Sequence, residues 1–277
     1  MASDRYETFV DVLCKLPETV WSSTVYSEPE WKWMLPLSRS WEFGHFAALF
    51  MTLGLNDFQT KGKADVGYWP KVVPLIRNQS EPNEPGQLIG LLKQFFANER
   101  LAVKKVNRLE RFATSSLCAE IWTCKPETIA ADFKQTWRSL GETMKQPPTK
   151  KTIAFAMKCL ALALLMVNED GFDISSIPVP IDSRLRAVAL RLGCASGTDS
   201  DEQHRWSNAL EKIRNTGKQI TMVHLDSLLW QIGTLSREEM QSHLVSLNAG
   251  GLAQKIASLF VEVEEIADFI ECCPLSE

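Results

Sequence analysis

Apolar residues recur at helical spacing along almost the whole chain, and this pattern constrains the fold more than any other feature. It is clearest in three stretches: Phe9-Leu13-Leu16, Leu88-Leu91-Leu92-Phe95-Phe96 and Leu225-Leu228-Leu229-Ile232. Residues three and four apart lie on one face of a helix, whereas a half-buried strand alternates with a period of two, and no region alternates convincingly. The sequence therefore predicts an all-α protein.

The chain is long enough to bury a substantial core, as one large domain or as two lobes, because it has 277 residues of which 45% are hydrophobic. Proline- and glycine-containing breaks, such as SEPNEPG and KQPPTK, are typical of helix connections. The apolar run 152–167 is short for a membrane span and contains Lys158, so we expect a core helix there.

The charge balance excludes nucleic-acid binding by bulk charge, since the formal net charge is −4. A DNA-binding surface would have to be a local basic patch. The candidates are the helix NERLAVKKVNRLERF, which contains Lys104, Lys105 and Arg108, the segment KQPPTKK, which contains Lys150, and the segment IDSRLRAVALR, which contains Arg184. Each such run taken alone is also typical of a solvated helix face.

The cysteines and histidines do not indicate a metal or a disulfide framework. The seven cysteines form no CxxC pair, and the four histidines show no ligand spacing. His224, near the start of a predicted helix, is expected to cap or pack. The N-terminus MASDRYETFV has no apolar signal region, so we expect a soluble cytoplasmic protein with reduced thiols.

Lys151 is the first residue that suggests chemistry. In PPTKK the two prolines force an extended entry, and Thr149 is expected to cap the helix that follows, which puts Lys151 in the first helical turn. The positive end of the helix dipole there disfavours an ammonium relative to a neutral amine. Phe155 and Lys158, at i+4 and i+7, share the same helix face.

A carboxylate and a second aromatic residue follow in two further motifs. Pro178 and Pro180 keep their segment extended and predict Asp182 as the N-cap of the helix SRLRAVALRL, while HLDSLLWQIG puts Asp226 and Trp230 on one helix face. Taken singly, Asp182 is typical of a plain capping residue, and Trp230 of a core residue.

Three motifs in this order resemble those of the archaeal 8-oxoguanine DNA glycosylases called AGOG, an outlying branch of the helix-hairpin-helix glycosylases. The motifs are KKTIAFAMKCL, FDISSIPVPIDSRLR and VHLDSLLWQIG, with weaker likeness around TKGKADVGYW, the helix at 98–112 and the terminal CCPLSE. The resemblance implies one glycosylase domain, 1–277, with a two-lobed helix-hairpin-helix DNA glycosylase-like fold and the active site in the cleft between the lobes. The approximate lobes would be 40–150, and 1–39 with 165–277.

The resemblance also implies roles for individual residues. Lys151 would attack the sugar C1′ and Asp182 would stabilise positive charge. Substrate contacts would come from Phe155, Trp230, Asp226, Lys158, Trp69, Glu30 and Pro180, and DNA contacts from Lys104, Lys105, Arg108, Lys150 and Arg184. The implied partner is double-stranded DNA containing a modified base, the implied state is a monomer, and no cofactor or metal is implied.

Glu30 departs from the family pattern, which has a glutamine that reads the damaged purine. A carboxylate loses the amide's donor and adds a charge, so the base that is excised is open. Three hypotheses follow: excision of 8-oxoguanine in base-excision repair, excision of a bulky phage-type base such as glucosylated hydroxymethylcytosine in antiphage defence, or a catalytically silent DNA-binding module. Trp31 and Trp33 motivate the second hypothesis, because flat aromatic rings commonly hold sugars.

Overall fold

The described part of the chain is all-helical. The computed structural model describes residues 2–62 and 64–262, in which no strand occurs, and this confirms the predicted fold class. The terminal CCPLSE lies outside the described residues. The α-helices are α1 (Ala2–Leu13), α2 (Glu18–Ser27), α3 (Pro29–Ser38), α4 (Phe43–Asn56), α5 (Trp69–Arg77), α6 (Gln87–Ala97), α7 (Ala102–Ala113), α8 (Ser116–Thr123), α9 (Pro126–Ala131), α10 (Phe133–Met144), α11 (Lys151–Met166), α12 (Ser183–Arg191), α13 (Asp199–Arg214), α14 (Met222–Ile232), α15 (Arg237–Ser246) and α16 (Leu252–Ser258), with a π-helical turn at Ala64–Tyr68.

The helices are divided between two compact units. The hairpin unit is Ser27–Pro180, and the terminal unit combines Met1–Tyr26 with Ile181–Glu277. These limits fall at different positions from those of the expected lobes, whose assignment within one glycosylase domain stays a prediction.

The centre of the hairpin unit is the contact between α4 and α11. Both helices are apolar on nearly all sides, as expected of a helix surrounded by protein, and α11 is buried from Ile153 to Leu164 except at Phe155, which is partly buried. Small residues bring the two helices together: a Cβ on Gly54 would lie 2.7 Å from Cys159 Sγ and 3.1 Å from Ala156 Cα. The helix that begins at Lys151 is therefore held in the core along most of its length.

The terminal unit packs α1 against α13 and α16, and α12 against α14. Phe9 of α1 meets Phe260 edge to face, with ring centroids 5.4 Å apart. Arg191, at the end of α12, is buried and donates to the carbonyl oxygens of Val261 (2.8 Å) and Leu235 (2.6 Å). These bonds fix the end of α12, the helix that Asp182 begins.

A membrane-spanning helix does not occur among residues 2–62 and 64–262, where every helix is too short or too polar to cross a bilayer.

Candidate active site

A rigid turn between α10 and α11 leads into Lys151. Lys145 ends α10 in a left-handed conformation (φ 54°), and Gln146 N–H donates to Gly141 O at 2.9 Å. Trp137 Nε1 donates to Pro148 O at 2.8 Å, which ties the turn to α10. A Cβ on Gly141 would lie 3.0 Å from Gln146 O and from Pro148 Cγ, so the close approach favours glycine. The helix pair and its turn form a hairpin that ends at the predicted nucleophile.

Lys151 is the first residue of α11 and is partly buried. Its place in the first helical turn is as the sequence predicts. The N-cap is Lys150, with extended backbone, and not Thr149 as expected. The expected extended entry is a turn instead, in which Lys150 N–H donates to Pro147 O at 2.9 Å, so the helix begins one residue later than the cap prediction assumed. The amine-bearing residue thus lies at the positive end of the helix.

Arg108 of α7 holds both ends of this turn. It is buried, and it donates from Nη1 to Gln146 Oε1 (2.8 Å), from Nη2 to Thr152 Oγ1 (3.0 Å) and from Nε to Leu55 O (3.0 Å). Burial lowers its pKa to about 10, and the charge of Arg111 acts in the same direction. Arg108 was expected to contact DNA, but its guanidinium faces protein acceptors on either side of the hairpin.

Lys158 and Phe155 lie together on α11, as the spacing predicts. Lys158 is buried, its Nζ is 2.7 Å from Glu28 Oε1, and the same atom is 5.8 Å from the centroid of the Phe155 ring. Sequence reasoning missed Glu28. The only local signal is its place before Pro29 at the start of α3, and its partner is 130 positions along the chain.

Glu30 is a buried carboxylate whose charge acts on Cys159 of α11. Glu30, on α3, is buried, and burial together with the negative charges of Glu30 and Asp57 raises the pKa of Cys159. Trp69 is fully buried, donates from Nε1 to Asp57 Oδ2 at 3.1 Å and packs edge-on against Phe50. The predicted wall residue is thus part of the core, with its indole N–H bonded to a carboxylate.

Asp182 begins α12 as its N-cap, which confirms the local prediction. Its Oδ1 accepts from the N–H groups of Arg184 (2.9 Å) and Leu185 (3.0 Å), and the side chain is partly buried. Pro180 in the preceding extended segment is buried. The capping bonds fix one carboxylate oxygen and set the direction of the other.

Asp226 and Trp230 lie four residues apart on α14, as predicted. Asp226 is buried and Trp230 is partly buried. The guanidinium carbon of Arg184 is 3.7 Å from the centroid of the Trp230 ring, and Nη1 of the same arginine is 3.5 Å from Trp230 O. Arg184, expected at the DNA surface, is therefore stacked on an indole face.

The basic residues predicted to bind DNA fall into two groups. Lys104 and Lys150 are exposed. Lys105 is fully buried beside Glu99 Oε2 at 3.4 Å, and burial lowers its pKa against the opposing effect of that carboxylate. A signal was present in the sequence, because Lys105 shares its helix face with Leu109 at i+4.

The histidines have structural partners. His224 Nδ1 accepts from Thr221 N–H at 3.2 Å and completes a capping box at the start of α14, which confirms its expected capping role. Burial lowers its pKa to about 4. His45 stacks on Trp122 with ring centroids 4.3 Å apart. In the described ranges, no three His, Cys, Asp or Glu side chains are grouped so that they could hold a metal ion.

Comparisons with known proteins agree with this arrangement of motifs. Residues 10–261 match the family model AGOG, described as N-glycosylase/DNA lyase. Among solved structures, the chain is similar to Pa-AGOG, an 8-oxoguanine DNA glycosylase from Pyrobaculum aerophilum complexed with 8-oxoguanosine. The TM-score is 0.67 with 18% sequence identity, over 93% of this chain and 97% of that one. A search of curated proteins finds no match.

Proposed function

The chain belongs to the AGOG family of N-glycosylase/DNA lyases, and from that premise we propose that it excises 8-oxoguanine from double-stranded DNA with Lys151 as the nucleophile. It is a DNA glycosylase/lyase with the fold of the helix-hairpin-helix glycosylases. The observation that carries the proposal is the position of Lys151, which directly follows the α10–α11 turn at the start of a buried helix.

The proposed reaction uses the neutral amine of Lys151. Its lone pair attacks C1′ of the nucleotide, the C1′–N bond breaks, and the base leaves with the bonding electrons and takes up a proton. Opening of the sugar gives a Schiff base between Nζ and C1′. Loss of a proton from C2′ then expels the 3′ phosphate, and water releases the enzyme. The nucleotide must leave the base stack for this attack to occur.

Asp182 would stabilise the positive charge that develops on the sugar as the base leaves. Two backbone N–H groups already bind Oδ1 of its carboxylate and hold it in a fixed orientation. A preoriented charge lowers the barrier because the protein does not reorganise during the reaction.

Base recognition would divide between stacking on Phe155 and Trp230 and hydrogen bonding to Asp226, Lys158 and Glu30. Stacking tolerates different bases, whereas edge contacts discriminate between them. The Watson–Crick edge of an oxidised guanine offers two adjacent donors, N1–H and the 2-amino group. A carboxylate such as Glu30 can accept both, so the exchange of glutamine for glutamate is compatible with 8-oxoguanine.

Borohydride trapping tests the nucleophile. The wild type should form a covalent complex with an abasic oligonucleotide and release 8-oxoguanine in a single turnover, and Lys151→Gln should do neither. Lys134→Gln, at an exposed position of α10, is the matched control and should behave as the wild type. Trapping at wild-type yield in Lys151→Gln would exclude this lysine as the nucleophile.

A second substrate remains a candidate because of the surroundings of Glu30. Trp33 lies three residues further along α3, next to Glu30 on the helix surface, and both Trp31 and Trp33 are partly buried. A carboxylate beside an aromatic ring could hold the hydroxyl-rich sugar of glucosylated hydroxymethylcytosine. Release of bases from 8-oxoguanine oligonucleotides and from glucosylated phage DNA should be assayed in parallel, and release of 8-oxoguanine alone would end the defence hypothesis.

A further inference from the structure

Arg184 connects two parts of the terminal unit that the proposed reaction uses. Its backbone N–H donates to Asp182 Oδ1 at 2.9 Å, and its guanidinium carbon is 3.7 Å from the centroid of the Trp230 ring. At that distance a planar guanidinium is in van der Waals contact with the ring face. One residue therefore binds the proposed charge-stabilising carboxylate and covers one side of the proposed stacking platform.

Close backbone packing fixes this arrangement. A Cβ on Gly233, just after α14, would lie 2.6 Å from Arg184 O and 3.0 Å from Arg184 Cβ. The start of α12 and the end of α14 thus meet without room for a side chain between them. The contact of the two helices fixes the backbone and Cβ of Arg184, and Nη1 at 3.5 Å from Trp230 O helps to orient the guanidinium over the ring.

A covered indole has only one face left for a base. The guanidinium attracts π-electron density toward its own side, which makes the opposite face of the indole less negative. An electron-rich base stacks on such a face more favourably than an electron-poor one.

We propose that Arg184 is a positioning and specificity-determining residue that makes Trp230 a one-sided, cation-backed platform for electron-rich purines. The inference rests on the proposed function, because it takes Trp230 as the stacking residue. It adds a source of selectivity that acts through the π system of the base and not through its hydrogen-bonding edge.

Calorimetric binding of 8-oxoguanosine and inosine tests this role. Inosine lacks the 8-oxo and 2-amino groups and is the less electron-rich purine. Arg184→Met keeps most of the side-chain length without charge, and it should weaken 8-oxoguanosine binding about fivefold more than inosine binding. Arg184→Lys, which keeps the charge without the planar stack, should show a smaller preferential loss. Because each variant is compared on two ligands, the difference in hydrogen bonding between the nucleosides cancels.

Controls separate this role from a structural one. Arg186→Met, on the same helix but paired with Asp199, should leave both affinities unchanged. If Arg184→Met and Arg184→Lys lose equal affinity for both nucleosides, or lose none, the inference is overturned. The proposed function still stands in that case if the wild type excises 8-oxoguanine. A wild type that binds neither nucleoside and excises no purine would overturn both.

Discussion

Asp182 has a structural role and a proposed chemical role, and they can be separated at this one residue. Its Oδ1 caps α12, and an asparagine offers an equivalent oxygen to the same two N–H groups. Asp182→Asn should therefore keep the thermal stability of the protein, while single-turnover excision of 8-oxoguanine falls by at least about a hundredfold because the charge is lost. Excision at the wild-type rate would exclude electrostatic stabilisation by Asp182.

A matched pair of variants isolates the cap itself. Asp182→Ala removes the charge and the cap, so it should lose about 1 kcal/mol of folding stability in addition to activity. Ser236→Ala removes the N-cap of α15, where Ser236 Oγ accepts from Glu239 N–H. That variant should lose similar stability but keep excision. Denaturant unfolding and excision rates measured on the same preparations would show whether capping alone accounts for an activity loss.

At the level of the element, the stability that α14 contributes should depend on pH through His224. Its pKa in the folded protein is about 4, below the ordinary value of 6.5, and its Nδ1 accepts from Thr221 N–H. As the pH falls, His224 is protonated in the unfolded state before it is protonated in the folded state. Its contribution to the free energy of unfolding is therefore fully present above about pH 6.5 and is lost as the pH drops toward 4. At pH 5 the loss should be about 2 kcal/mol.

His224→Gln tests this coupling because glutamine also completes a capping box. The melting temperature of the wild type should fall more between pH 7.5 and pH 5 than that of the variant. His204, exposed on α13, provides the control, and His204→Gln should retain the wild-type pH dependence. A parallel decline of the wild type and His224→Gln would contradict the assignment.

The contact of α4 with α11 predicts opposite effects for two glycine-to-alanine changes. Gly54→Ala puts a methyl group 3.1 Å from the backbone Cα of Ala156, an atom that cannot move aside as a flexible side chain can. Overpacking should cost about 1–3 kcal/mol, which exceeds the gain in helix propensity of about 1 kcal/mol. In Gly90→Ala the added methyl meets nothing within 4 Å, and the helix gain should remain. Denaturant unfolding should show a loss for the first and a gain for the second, and stabilisation by both would contradict the packing described.

For the molecule as a whole, the features predictable from sequence are those that depend on neighbours along the chain. The helical period predicts the all-α fold, and the prolines before Asp182 predict its cap, because helix starts are decided within a few residues. Whether a basic side chain is exposed or paired within the protein depends instead on residues that are distant along the chain. Arg108 is bonded to Gln146 and Thr152, and Arg184 to Trp230, so both arginines look like surface cations until the chain is folded.

This division predicts how the protein's affinity for DNA depends on salt. Because the net charge is −4, we expect attraction to phosphates to come from local exposed cations such as Lys104 and Lys150. Each phosphate contact contributes about 0.9 to the slope of log K against log salt. Lys104→Gln and Lys150→Gln should each reduce the magnitude of that slope by about 1.

Buried and paired lysines should behave differently in the same titration. Lys105→Met should leave the slope unchanged and lower the melting temperature, because it leaves the buried Glu99 carboxylate without its ion-pair partner. Lys93→Gln, at an exposed position paired with Glu110, is the surface control and should change neither quantity appreciably. Fluorescence anisotropy of an abasic duplex between 50 and 200 mM salt is the measurement. A reduced slope for Lys105→Met would contradict the burial of that residue and return it to the DNA-binding surface.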